Sequence, residues 1–541
     1  MVRNRAHYKC DTRVEMLDCM DDYTTILYRP EWTCGRYNRE ANVAIFYNLI
    51  GGMSYFFEDD SAEIVGWLLK QPRNAGFFVK TLSEETDTAM ESLMPFLDDL
   101  VECGLLTNVA ISKEGINTYR EESSKRKCSQ SLSLVKTDPQ KRPIAISNAE
   151  SEYMNRVGCI TGVMFELTYN CSEKCIHCYN IGATRNDSEV SKRNNRKELT
   201  LSDYYRIIDE LNEQGLVKVC LSGGDPFSNA FVWEIIDYLY EKEIAFDIFT
   251  NGQRLLGHTE KLAGYYPRLV GISIYSGEKA EHDYITRIKG SWNKSISVIR
   301  ELSALAVPLN LKCCIMRPNV KHYYQVADLA KRYGAVAQFE VCLTDSIDGD
   351  KCVSRHLRLT PELLEIVLRD KNVPLYVGAD ALNFGGHPKP MDQNACGAGY
   401  NSFCITPEGN LIPCCSFHTV FGNLRQATFK QICNESEDLH LWQSLTLSQY
   451  KDCGKHKFCD YCNLCAGNNY SEHGNPTIAA ENNCYVAKVR CDLAAKMKKG
   501  YDPLMGISIV DRLKELPDYN KETLKREYSQ DYSDKSLMAG G

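Results

Sequence analysis

The stretch YNCSEKCIHCYN, Tyr169–Asn180, sets three cysteines at C-x3-C-x2-C spacing: Cys171, Cys175 and Cys178. A closed structural zinc site takes four protein ligands, often as paired C-x2-C units. This loop offers one such pair and an outlier. Three thiolates on a short loop can instead hold three irons of a [4Fe–4S] cluster, leaving the fourth iron to a ligand from outside the chain. Zinc completed by His177 or a distant residue is the competing reading.

The sequence around the loop decides between folds. VMFELTY leads into it, and VKVCLSG, AFDIFTN, LVGISIYS, LNLKCCIM and AVAQFEVCL follow as further strand-like runs. Helical patterns separate them. LSDYYRIIDELNEQG carries Tyr204, Ile207, Ile208 and Leu211 on one face and stops at Gly215; FVWEIIDYLYEK, WNKSISVIRELSAL and HYYQVADLAKRYG repeat the pattern. Strand–helix alternation predicts an α/β fold with a parallel sheet and outer helices, either doubly wound or a partial barrel. Active sites of such folds gather at the C-terminal ends of the strands. There the chain places Ser222-Gly223-Gly224-Asp225-Pro226, then Thr250-Asn251-Gly252, then Ser273, Tyr275, Ser276 and Gly277, then Met316-Arg317-Pro318-Asn319. Polar and glycine-rich punctuation after successive strands should converge on one site with the cysteine loop.

In that setting the loop resembles the radical S-adenosylmethionine (SAM) enzymes. The resemblance spans about residues 160–345 and implies a partial (β/α)6 TIM barrel over 156–345. In that family the amino and carboxylate groups of SAM chelate the fourth iron, which would explain a motif of three thiols. GGDP stands where the family has GGE, whose role is to bind the SAM amino group; Gly223, Gly224 and Asp225 are the counterparts, and Asp225 is one methylene shorter. His177 takes a position that is often aromatic. Ser273 sits where the family often contacts the SAM ribose. Asn251 and Asn319 are candidates for SAM or substrate contacts, with turn formation as the plainer role. The chemistry implied is reductive cleavage of SAM to a 5′-deoxyadenosyl radical that abstracts hydrogen from a substrate.

Cysteines total 25, and eleven fall between Cys396 and Cys491. CGAGYNSFCITPEGNLIPCC supplies Cys396, Cys404, Cys414 and Cys415; CGKHKFCDYCNLCAG supplies Cys453, Cys459, Cys462 and Cys465; ENNC supplies Cys484. This field resembles the SPASM extension, which usually carries two auxiliary [4Fe–4S] clusters. Its C-x(9–15)-G-x4-C opening is met by Cys396, Gly409 and Cys414. The later C-x2-C-x5-C-x2-C form is not met: His456 falls on the second position, with Cys459 three residues later. The resemblance implies Cys396, Cys404, Cys414 and Cys465 around one cluster and Cys453, Cys459, Cys462 and Cys484 around the other, with Cys415, Cys433 and Cys491 spare. Zinc ribbons are the alternative. Isolated cysteines such as Cys19, Cys103 and Cys220 read as small buried residues.

The remaining segments give a domain plan. Residues 1–120 hold two strands, ANVAIFYNLI and MSYFFEDD, joined at Gly51-Gly52, then a helix with Asp60 and Glu63 at capping-box spacing, then a helix bearing Met90, Leu93, Leu97 and Leu100 that Gly104 should cap. This region resembles the winged-helix-like α+β recognition element of peptide maturases. Residues 121–155 read as a Ser-, Lys- and Pro-rich linker, 346–395 as a bridging region, 396–495 as the SPASM domain and 496–541 as a charged tail. The basic segment 185–197 reads as a cover for the SAM site or an ordinary charged surface. Asp345, Asp348 and Asp350 read as a solvated loop or as acid–base candidates.

Net charge is −8 and no basic excess points to nucleic acid; no apolar run is long enough to span a membrane. The opening MVRNRAHYKCD lacks an apolar h-region, and with 25 cysteines the expectation is a cytoplasmic metalloprotein rather than a disulfide-bonded one. The two resemblances imply a maturase of ribosomally made precursor peptides, bound through their leader, that installs a crosslink or related modification. An external electron donor such as flavodoxin or ferredoxin is implied as well. A sulfatase-maturing enzyme forming formylglycine and a non-catalytic zinc-bound binding module are the alternatives.

Overall fold

The computed structural model of the chain describes residues 25–111, 149–158, 160, 162–180, 197–346, 352–378 and 390–520. The opening segment with Cys19, most of the expected linker, the basic segment 185–196, Asp348, Asp350 and the end of the expected tail lie outside the described residues. The chain divides into two compact units, Met1–Val157 and Gly158–Gly541. Among the described residues no helix is long and apolar enough to cross a membrane.

In the first unit β1 (Ile26–Tyr28), β2 (Thr33–Asn38), β3 (Val43–Asn48) and β4 (Met53–Glu58) precede α1 (Asp59–Leu68). β2, β3 and β4 form an antiparallel sheet, and the Asn48↔Met53 pair closes the expected hairpin. Asn48 holds that turn: its Oδ1 accepts the Gly51 N–H at 3.0 Å and its Nδ2 donates to the Cys103 carbonyl at 2.8 Å. The expected capping box is not formed. β4 runs directly into α1, so the cap falls at Glu58, which makes no side-chain cap bond, and Asp59 takes up the turn at φ 55°. β5 (Gly76–Phe78) pairs with β1, and α2 (Val79–Glu85) leads to α3 (Met90–Glu102).

α3 buries Leu93, Leu97 and Leu100, the stripe its sequence spacing predicts, each worth about 2 kcal/mol of apolar burial. Gly104 ends it at φ 69°, where a left-handed residue lets the Leu105 N–H reach the Leu100 carbonyl at 2.9 Å. The last residues of the expected linker belong to α4 (Ala149–Val157), which packs on this sheet: Tyr47 donates to Glu150 at 3.1 Å and Arg156 pairs with Glu58 at 3.1 Å.

The second unit is built on six parallel strands: β6 (Gly162–Glu166), β7 (Lys218–Ser222), β8 (Ala245–Thr250), β9 (Leu269–Ser273), β10 (Leu309–Cys314) and β11 (Val336–Glu340). They lie side by side in sequence order, without the reversal that marks a doubly wound sheet. Between them run α5 (Leu201–Glu213), α6 (Val232–Glu241), α7 (Lys279–Thr286), α8 (Ser291–Ala304) and α9 (Tyr324–Arg332). Thr200 and Asp203 form a capping box on α5, whose Tyr204, Ile207, Ile208 and Leu211 are buried with Phe165, Val219 and Leu221 of the sheet. Alternate strand residues thus make an aliphatic face under the helices. The other face is different in kind: Met164, Glu166, Cys220, Asp247, Phe249, Ser273 and Lys312 share it by the period of two.

The cysteine-rich C-terminal region joins this same sheet. β12 (Ser402–Ile405) pairs in parallel with β6, setting Cys404 opposite Met164, and β13 (Asn410–Ile412) and β14 (Gly422–Asn423) extend it antiparallel. Part of the expected tail is packed rather than free. Leu513 is fully buried, Asp502 pairs with Arg369, and Lys496 reaches Glu365 of α10 (Pro361–Val367). One buried leucine and two ion pairs in a charged sequence leave too weak a periodicity to read.

Candidate metal and cofactor centre

The cysteine loop is fixed from two sides. Parallel pairing continues past the ends of β6 and β7: Leu167 N–H donates to the Ser222 carbonyl at 3.0 Å, Gly224 N–H to Thr168 at 2.7 Å and Asp225 N–H to Asn170 at 3.0 Å. A Cβ on Gly223 would lie 2.3 Å from the Thr168 oxygen, and one on Gly224 2.5 Å from the Asn170 oxygen. Two glycines are therefore the condition for the loop to lie against the second strand's exit. On the opposite side Lys174 and Ile176 donate to the Thr286 and Ile285 carbonyls, at 3.0 and 2.9 Å, which also satisfies the C-terminal end of α7.

The three thiols are brought together, each within the electrostatic reach of the others. Burial pushes Cys171 up to about 12 and Cys178 up to about 11, and raises Cys175 well above the ordinary thiol range. Without a cation these sulfurs stay protonated; bound iron is what would ionise them. Donors already face Cys171: the Glu173 N–H at 3.4 Å and Asn251 Nδ2 at 3.3 Å. The Tyr275 phenol lies beside both Cys175 and Ser273, which places Ser273 next to the loop. His177 packs edge-on against the Tyr275 ring at 4.6 Å. Burial lowers it to about 4, so this imidazole is neutral and acts as an aromatic wall.

Asp225 provides the test of fit for SAM. Its carboxylate is fully buried; Oδ1 accepts from Thr250 Oγ1 at 2.9 Å and from the Phe227 N–H at 3.2 Å, while Oδ2 is buried without a partner. Burial pushes it up to about 6, against those two donors. A buried carboxylate oxygen beside a three-thiol loop suits an ammonium group, which SAM carries. Gly223, Gly224 and Asp225 would hold that end of the cofactor. Bound here with a reduced cluster, SAM supplies radical chemistry that side chains lack. The chain's own contribution is to orient, exclude water and hold the three sulfurs. Asn319 does not belong to this set: its amide is spent on the backbone of Tyr275, Cys314 and Met316, so it locks strand exits instead.

In the second cysteine field Cys396, Cys414 and Cys465 lie within electrostatic reach of one another. Cys404 faces Cys414, Cys415, Cys220 and Glu166 from β12. Cys484 faces Cys462 and Cys459. Cys453 lies near Tyr450, which also senses Cys396 and Cys465. His456 is exposed and stacks on Phe458 at 5.0 Å, while Cys459 lies within electrostatic reach of Cys484. Among the described residues no three His, Cys, Asp or Glu side chains close around a single-ion position.

Several residues here escaped sequence reading. Glu173, buried inside the motif and raised to about 8 by burial, accepts from the Cys175 thiol at 3.5 Å and keeps Oε1 unpartnered. A charged residue in so short a loop was its signal. Cys220 is no core filler: it pairs across the sheet with Asp247 on the polar face. Cys342 reaches Cys462 and Cys465 from the exit of β11, and Cys415 bonds Tyr179. Nothing in their spacing marks them, because the contacts cross domains of sequence.

A family model for the radical SAM superfamily matches residues 165–330, and one for the SPASM iron–sulfur cluster-binding domain matches 396–466. Among curated proteins the chain is similar to the antilisterial bacteriocin subtilosin biosynthesis protein AlbA of Bacillus subtilis, at 25% identity over 56% of this chain and 66% of that one. It is similar to the AdoMet-dependent heme synthase of Nitratidesulfovibrio vulgaris at 25% identity, over 58% and 89%. It is similar to the mycofactocin maturase MftC of Mycolicibacterium smegmatis at 28% identity, over 57% and 77%. The two domains imply [4Fe–4S] clusters and SAM binding rather than zinc. Residues 165–330 thus form a radical SAM superfamily domain, and residues 396–466 a SPASM iron–sulfur cluster-binding domain.

Proposed function

We propose that this protein is a maturase that uses a SAM-derived radical to modify a ribosomally made precursor peptide. The observation that carries it is the buried, half-satisfied Asp225 carboxylate set beside three clustered thiols, on a sheet whose next strand belongs to the cysteine-rich region. Relatives named for bacteriocin biosynthesis and for mycofactocin maturation support the peptide class. The six sequential parallel strands are read as a partial (β/α)6 barrel. The antiparallel sheet and helices of the first unit are read as a winged-helix-like element that takes the leader by strand addition. Cys396, Cys404, Cys414 and Cys465 would hold one auxiliary cluster, and Cys453, Cys459, Cys462 and Cys484 the other. Electrons would come from a flavodoxin or ferredoxin.

Co-expression with candidate precursor peptides tests this reading by mass spectrometry. A modified peptide that disappears in Cys171→Ala is the expected result; unmodified peptides from a protein that still cleaves SAM would remove it. A second reading, a small-molecule substrate, is favoured by the 89% coverage of a heme synthase relative, and that outcome would turn attention to it.

A further inference from the structure

Among the described residues, the polar face of the sheet carries a cation with no counter-ion. Lys312 projects from the middle of β10, level with Ser273 of β9. Its chain crosses the place a side chain on residue 271 would fill: a Cβ on Gly271 would lie 2.8 Å from the Phe249 ring and 3.1 Å from Lys312 Cδ. The ammonium ends over the Phe249 ring, 3.1 Å from its centroid. Among the described residues no carboxylate lies within ion-pair distance of it. The carboxylate it senses, Asp247, is engaged by Arg268. The other side chains it senses, Cys220, Cys314 and Cys415, are thiols and not carboxylates. A half-buried ammonium over an aromatic face is desolvated on one side and open to a partner on the other. Cys415 belongs to the auxiliary loop, so this position faces the space between the two cysteine fields.

We propose that Lys312 is an anion subsite that takes a carboxylate of a bound molecule. Two sources share that chemistry: an acidic residue of the substrate, or the carboxylate of SAM. Assigning it to a peptide rests on the proposed function; the subsite itself does not. Gly271 and Phe249 set the reach of the lysine, and Arg268 prevents Asp247 from occupying it.

Acetylation footprinting of the reconstituted full chain tests this. Lys312 is read by mass spectrometry against exposed Lys498 in the same sample. The probes are N-acetylglutamate N-methylamide, its neutral glutamine counterpart, and SAM. Protection of Lys312 on the order of tenfold by the acidic probe and not by the neutral one assigns the subsite to substrate. Protection by SAM, with SAM affinity about tenfold weaker in Lys312→Met and restored in Lys312→Arg, assigns it to the cofactor. Equal protection by acid and amide, or protection by none, overturns the subsite. Protection by the acidic probe alongside only unmodified precursors in co-expression would leave the subsite standing and remove the peptide reading.

Discussion

The loops Cys171–Cys178 and Cys453–Cys465 look alike as sequence, since each ends in C-x2-C spacing with a further cysteine upstream. They are held in different ways. The first is bonded through its backbone to the GGDP turn on one side and to the end of α7 on the other, and glycine packing leaves it no slack. The second has its early residues, Lys455 and His456, exposed, and is tied down only later, where Asn483 donates to the Asn463 carbonyl at 2.7 Å and Arg490 to that of Tyr461. The fold shapes the first site before metal arrives. In the second, a metal held as proposed would complete a loop that the chain only partly orders.

The sharpest way to break this contrast is a methyl group. Gly224→Ala sets a Cβ 2.5 Å from backbone oxygen, so the cysteine loop must move, and SAM cleavage should fall about 100-fold or more by 5′-deoxyadenosine assay. Asp225→Asn comes next: SAM affinity by equilibrium dialysis should weaken about 10- to 100-fold, with Asp225→Glu in between. The wild type carries a matching pH signature. Asp225 stands near 6 in the SAM-free chain, so affinity should be full above that pH and fall about tenfold per unit below it. The sign for stability is opposite. Folded Asp225 keeps its proton up to about 6 where an unfolded one loses it near 3.8, so its contribution to SAM-free stability declines as pH rises through that window.

For the second loop, Cys459→Ala should lower iron content of the reconstituted protein while His456→Ala leaves it unchanged, because Cys459 lies within electrostatic reach of Cys484 while His456 is exposed and stacked on Phe458. Equal losses would put His456 back among the ligands. The smallest effect is expected at Gly454, φ 80°, where an added Cβ meets the flexible end of Met391 at 2.9 Å. Gly454→Ala should cost about 1 kcal/mol in thermal unfolding and leave SAM cleavage intact. Loss of cleavage there would erase the distinction between the loops.

What could be read from the chain follows the range of the interactions. The six strands, the α5 stripe and the Gly104 cap rest on spacing within one element, and the sequence carries spacing openly. The GGDP turn was legible because two adjacent glycines have few other uses. The α1 cap failed because a strand ran on to Glu58 and displaced it. β1, β5 and β12 are too short for a period to register, and β12 joins the sheet only through a partner 240 residues earlier, Ser402 against Gly162. Lys312 stood in plain view within LNLKCCIM, but its surroundings, Phe249 and Gly271 on neighbouring strands and Arg268 just before one of them, lie far away in sequence.

The most direct test is anaerobic. The full chain is reconstituted with iron and sulfide, iron loading is confirmed, SAM and a reductant are added, and 5′-deoxyadenosine is quantified beside Cys171→Ala/Cys175→Ala/Cys178→Ala. Product from the wild type and none from the triple variant is the result this account predicts. An iron-loaded wild type that yields no 5′-deoxyadenosine, with or without candidate peptides, would contradict it.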